Sequence, residues 1–310
     1  TGKKISGGRI IMDKRKLIDT TVISITGLMA LSIIVIILII MIVIIIGGKN
    51  YLTWEFLTSS PQEGMTKGGI FPALYGTVLL VIIMSIAAVP FGTITAIYLS
   101  EYANPKSRIA KTIRFAVRTL SGVPAIIFGL FGLGFFIKFI GAGLDNSLYS
   151  GELKWGQPNI LWASLTMSLL TLPVVIVSVE EAIRTVPIDM REASLALGAT
   201  KWQTIRKVVI PGSLTGIMTG TILAVSRGAG EIAPILFTGA AYYLAHLPTS
   251  LSDQFMNLGY HIYIMSTQSA NVDETLPIQF ATTLILLVLT FSLNLLAILL
   301  RSRIRNKSVK

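Results

Sequence analysis

The sequence predicts an all-α integral membrane protein with six transmembrane helices and both termini on the cytoplasmic side. Three observations carry that prediction. The 310 residues are 53% hydrophobic and only 13% charged, with a mean hydropathy of +0.74, a composition suited to lipid rather than water. Six apolar runs approach or exceed the roughly 20 residues needed to cross a hydrocarbon layer about 30 Å thick. Lys and Arg collect in alternate connections, the bias that orients helices in a membrane.

The first run is Thr20–Gly48, whose centre is almost pure isoleucine and valine. It is too long for a signal peptide and lacks an obvious small-residue cleavage site. No Met precedes Thr1, and the residues before Met12 read equally as a processed start or an added leader. The second run is Gly68–Ser100, with Pro90 expected to kink it. The third lies between Arg118 and Lys138, and the fourth is Gly156–Val179 with Pro173 inside. Val208–Ser226 opens the fifth, which is expected to continue past Arg227 and Glu231. Leu276–Leu300 is the sixth. Trp54, Trp155 and Trp162 fall near outer helix ends, where an aromatic belt would put them.

The N-terminal tail, the second and fourth connections and the C-terminal tail together hold 21 Lys and Arg, against 4 in the alternate loops. Both tails and the fourth connection are therefore expected in the cytoplasm. This distribution also accounts for the pI of 9.9; the positive charge is juxtamembrane, and no nucleic-acid partner is implied. There is no cysteine, which excludes disulfides and thiolate metal sites. His246 and His261 are too few and too separated for a catalytic or metal cluster, and read as loop or interface residues. No phosphate-cradling G-x-x-x-x-G-K-[ST] occurs, nor a Ser/His/Asp set. The Glu180–Glu181 pair beside Arg184 reads as a helix-end ion network rather than an acid/base site.

The most informative stretch is Glu192–Pro211, EASLALGATKWQTIRKVVIP, a polar segment between apolar runs. Glu192, Ala193 and Ser194 open a turn and a half of helix; Gly198 is free to break it, and Thr200 can cap the next piece. In that piece Trp202, Ile205 and Val209 share helical spacing among Lys201, Arg206 and Lys207. Pro211 is expected to start the following helix, where its missing N–H costs nothing.

Arg227 and Glu231 are the only charges between this segment and Asp253. A charge inside a membrane costs about 2.5–3.5 kcal/mol on insertion scales, so it faces a partner or a watery path. A spacing of four puts both on one helical face. Counted from Gly212, Arg227 lies about 22 Å along the helix and Glu231 about 28 Å. The guanidinium offers a planar fork of donors to an oxyanion; a structural ion pair locking neighbouring helices is the other reading. Gly216 and Gly220 form a GxxxG, extended by Gly228 and Gly230, and Gly129, Gly132 and Gly134 make a similar small face on the third helix.

The Glu192–Pro211 pattern resembles the EAA loop of bacterial ABC importer permeases. Val179–Pro187 and Ser121–Phe131 look like phosphate-specific members of that family. Ile232–Thr238 after Arg227-Gly-Ala-Gly-Glu231, together with Tyr260–Gln268, resembles the PstA type rather than the PstC type. The resemblance covers about 68–300 and implies a type I ABC importer (MetI-like) permease fold. It would divide the chain into a tail, first helix and outer loop (1–67), a five-helix permease domain (68–300) with its coupling loop at 180–211, and a basic tail (301–310). It implies a phosphate importer built from this subunit, a PstC-type second permease, an ATPase dimer at the coupling loop and an extracytoplasmic phosphate-binding protein. ATP and Mg would sit on the ATPase; this chain would bind no cofactor. A sulfate or molybdate permease is the near alternative and a secondary transporter the distant one, for which an internal repeat and discontinuous helices would be expected.

Overall fold

A computed structural model of the chain describes residues 6–104, 106–244, 246–269 and 271–308. Lys3, Lys4 and Lys310 of the basic tails lie outside the described residues. Within them, six helices are long and apolar enough to cross a membrane. Helix α1, Ser6–Gly48, stands apart over most of its length, and from residue 19 its side chains are almost all exposed. Near its end it comes close to the last helix, where Gly47 and Gly48 pack on Phe280 and Ala281.

A short helix, α2 (Trp54–Thr58), capped by the Thr53 side chain, and a two-residue hairpin of β1 (Pro61–Gln62) with β2 (Lys67–Gly68) lead into α3. Helix α3, Phe71–Ile97, contains Pro90 and runs on through a widened turn, Tyr98–Tyr102, closed by Ala103 N–H donating to the Tyr98 carbonyl at 2.8 Å. Helix α4, Arg108–Leu120, precedes α5 (Ala125–Phe131), which continues through a π-helical stretch into α6 (Ala142–Leu148). The third span therefore runs to Leu148, and Lys138 sits inside it rather than ending it.

Helix α7, Ile160–Arg184, is the axis of the bundle and packs most extensively on α3 and α10. Its start is fully capped. The Asn159 side chain accepts from Trp162 N–H at 2.9 Å, and the Ile160 and Leu161 amides donate to the carbonyls of Asp253 and Leu251. That satisfies the donors a helix start leaves open. Trp162 is buried, stacked on Phe136 at 5.7 Å, and its indole N–H donates to the Trp155 carbonyl. It is a core residue, because its partner loop folds over it, and not part of an interfacial belt.

Helix α8, Ile188–Ala196, is followed by α9 (Lys201–Thr204), a π-helical stretch Ile205–Val209 and α10 (Ile210–Gly230). From Lys201 to Gly230 the chain is one continuous span. Pro211 does sit in the first turn of α10, but nothing breaks before it: the widened turn accommodates the missing N–H. Gly216 and Gly220 do bring helices together, lying against Ala182 and Ser178 of α7, whereas Gly134 and Gly230 have open space where a side chain would be.

The fifth span passes Arg227 but does not continue past Glu231 as expected. It ends at Gly230, and Glu231 is extended (φ −81°, ψ 132°). Among the described residues, 231–257 are largely non-helical before α11 (Leu258–Thr267), where His261 is buried in the core, and α12 (Val272–Ser308). Non-helical backbone persists at such a place only where protein or a watery cavity satisfies it. Here the Thr238 carbonyl accepts from Asn159 N–H at 3.0 Å, and the Ala241 amide donates to the Phe255 carbonyl at 2.8 Å.

Candidate functional site

Two regions hold the sequence-predicted residues, one at each end of α10. At its C-terminus, Arg227 Nε lies 3.6 Å from Glu231 Oε1. The pair therefore forms although Glu231 has left the helix. Its separation is too long for a hydrogen bond, and the Arg227 side chain is 62% exposed in this chain against 27% for Glu231. The pair is loose and open in this chain. The exposed carbonyls of a helix C-terminus attract a cation, and Arg227 stands in the last turn of α10.

The residues beneath fix that face. Gly228 packs directly on Met84 of α3 and Thr171 of α7, so any side chain there would displace both. The Met84 carbonyl accepts from Ser168 Oγ at 3.0 Å. Ser226, beside Arg227, donates to the Asn294 side chain of α12. The following stretch, Ile232–Thr238, crosses α5 at Gly129, which touches Pro234.

At the other end lies the Glu192 segment. Glu192 and Ala193 are exposed on α8, and Ser194 Oγ shares a hydrogen bond of 2.9 Å with Thr204 Oγ1 on the next piece. Between them Gly198 adopts φ +84°, a left-handed conformation that other residues rarely take. Thr200 and Gln203 then form a reciprocal capping box. Leu197, at the corner, is 90% exposed, with Ile188, Met190, Leu195 and Trp202 also open. Pro211 is exposed as well.

A polar network that the sequence only hinted at anchors this segment. Glu180 accepts from Arg184 at 2.6 Å and Arg114 at 3.1 Å, the helix-end ion network expected of it. Arg191 of α8 donates to the carbonyls of Val186 and Ile183 and pairs with Glu101 at 3.1 Å. Arg191 carries only topological meaning in the sequence, and Glu101 none. The detectable signal was a single acid at the end of a long apolar run, close to a basic connection.

A family model described as "Binding-protein-dependent transport system inner membrane component" matches residues 88–306. The chain belongs to that family. Its relatives include the "Probable ABC transporter permease protein YqgI" of Bacillus subtilis (strain 168), 31% identical over 90% of this chain and 94% of that protein. The "Phosphate transport system permease protein PstA" of Xylella fastidiosa (strain 9a5c) is 31% identical over 95% of this chain and 96% of its own length. Among solved structures, an inward-facing MetNI methionine ABC transporter covers 75% of this chain and 94% of its own, with a TM-score of 0.56 at 16% identity, which establishes the fold alone. This inner-membrane transport component is thus a multi-pass helical protein with the ABC importer permease architecture. The helix interruption after Gly230 lies within the residues that the family model matches.

Proposed function

We propose that this chain is the permease subunit of an ATP-driven phosphate importer, forming the translocation pathway with a second, PstC-type permease. Its similarity to a PstA phosphate permease through nearly the whole of both chains supports the substrate class. The charge bias of the connections supports a cytoplasmic location for both termini and for α8. Exposed Leu197, Ile188 and Leu195 around Gly198 suit a docking knob for one subunit of an ATPase dimer, which would carry ATP and Mg. An extracytoplasmic phosphate-binding protein would deliver the anion to the opposite end. The permease domain is then 68–300, with its coupling loop at 180–211.

The observation that carries the pathway is the open Arg227. A guanidinium about 22 Å along its helix and mostly uncovered needs a counter-charge or water, and a transported anion supplies the former. Glu231 deepens the selectivity. Phosphate near neutral pH still has a proton to donate to a carboxylate, whereas sulfate does not, so Glu231 repels sulfate without an offsetting hydrogen bond. The test is ATP-dependent uptake of labelled phosphate into vesicles bearing the assembled complex, with sulfate and molybdate as competitors. Uptake resistant to both competitors is expected. Uptake of sulfate or molybdate in preference to phosphate would replace the substrate assignment.

A further inference from the structure

Three contacts converge on one turn of the chain. The Tyr98–Tyr102 turn that ends α3 receives Arg191 of α8 on Glu101 at 3.1 Å. Its Tyr102 ring lies beneath Lys201 Nζ of α9, 5.1 Å from the centroid. Its Leu99 carbonyl accepts from Arg114 of α4 at 2.7 Å. Both halves of the Glu192 segment are thus bound to the same end of α3. The Arg191–Glu101 pair is well covered, at 18% and 12% side-chain exposure, where a charge pair is screened less by salt and solvent than on an open surface.

From Glu101, α3 runs back 17 residues, about 25 Å at helical rise, to Met84, whose side chain packs on Gly228 beside Arg227. Resting on the importer reading above, we propose that Arg191 and Glu101 form the strut that carries ATPase movement at α8 into α3 and so to Arg227. Both are positioning residues: neither touches the anion. The widened turn gives the strut its footing, since it turns Glu101 and the Tyr102 ring towards α8 and α9 while the helix above stays continuous.

The chain contains no cysteine, so engineered thiols report cleanly once the partners are also made cysteine-free. The full complex, with its second permease, ATPases and binding protein, is reconstituted in vesicles, and ATP hydrolysed per phosphate imported is measured. Glu101→Gln leaves the Arg191 bonds to Val186 and Ile183 in place and removes only the strut charge. It is expected to assemble and hydrolyse ATP while import falls about tenfold, so the ratio rises. The double variant Glu101→Cys with Arg191→Cys is expected to be equally uncoupled, and a short dimaleimide bridging the thiols should bring the ratio back towards wild type. A normal ratio in Glu101→Gln, or a bridge that fails to restore import, overturns the strut. So does failure of both variants to assemble, which would make the contact one of folding alone. If the wild-type complex itself imports no phosphate, the importer reading fails instead.

Discussion

Gly216 of α10 lies against Ala182 of α7, so close that a Cβ added at position 216 would come within 2.6 Å of the alanine's own. One turn further along, Gly220 meets Ser178 in the same way. The two helices touch backbone to backbone at this crossing, the close approach that small residues permit in lipid.

Replacing Gly216 by Leu therefore forces α10 away from α7. Overpacking of this kind costs roughly 1–3 kcal/mol. The purified chain is expected to unfold at lower temperature and to be recovered in smaller amounts, whereas Gly134→Leu, where space is open, should leave both unchanged. Thermal unfolding followed by fluorescence in detergent compares them; equal midpoints would show that the helices do not rely on this contact.

Arg227→Ala should abolish phosphate uptake in a complex that still assembles, because it removes the anion's counter-charge and leaves Glu231 alone. Arg227→Lys should recover only part of the uptake, since a point charge does not reproduce the planar fork. The decisive variant replaces both Arg227 and Glu231 by Leu. Assembly without transport fits the pathway, failure to assemble points to a structural pair, and normal transport removes the pair from translocation altogether.

Gly198→Pro should separate ATP hydrolysis from transport or weaken ATPase binding. Proline fixes φ near −65°, and Gly198 needs +84°, so the corner that presents Leu197 must rearrange. Glu192→Lys, on the exposed face of α8, should act similarly by reversing charge without disturbing the turn. Pull-down of the ATPase and its stimulated hydrolysis rate test both; wild-type values in the two variants would move docking elsewhere.

Asp253 gives a pH dependence outside the spans. Its carboxylate accepts from the backbone N–H groups of Ser250 and Thr249, both at 2.9 Å, and from the Thr249 hydroxyl. The two amides hold its pKa below the usual carboxylate value. A lowered native pKa means that the contribution is fully present above the unfolded value, near 3.9, and is lost as pH falls through the native one. Wild-type stability should therefore drop more steeply with acid below about pH 4 than that of Asp253→Asn. Parallel melting curves down to pH 3 would sink the idea.

All six spans are legible in the sequence because lipid demands a length and an apolarity that composition displays directly. The Gly198 corner and the Thr200 cap are legible for a similar reason: each answers a local backbone need with one residue type. What the sequence hides depends on distant contacts. Helical spacing puts Arg227 and Glu231 on one face, yet α10 stops at Gly230, and no local signal separates an apolar helix from the apolar, internally bonded stretch that follows. Lys138 looks like a boundary by charge alone, and nothing near Trp162 reveals that a loop 7 residues away folds back to accept its N–H. Glu101 gains its partner only when α8 returns to the end of α3.

The start of α7 has a mechanical consequence. Its first two amides are held by Asp253 and Leu251, so the non-helical stretch beyond Glu231 cannot swing outward without stripping the most enclosed helix of its cap, an uncapped buried donor costing about 1–3 kcal/mol each. That stretch is a lintel rather than a door. Only a motion that carries this stretch together with α7 leaves those bonds in place.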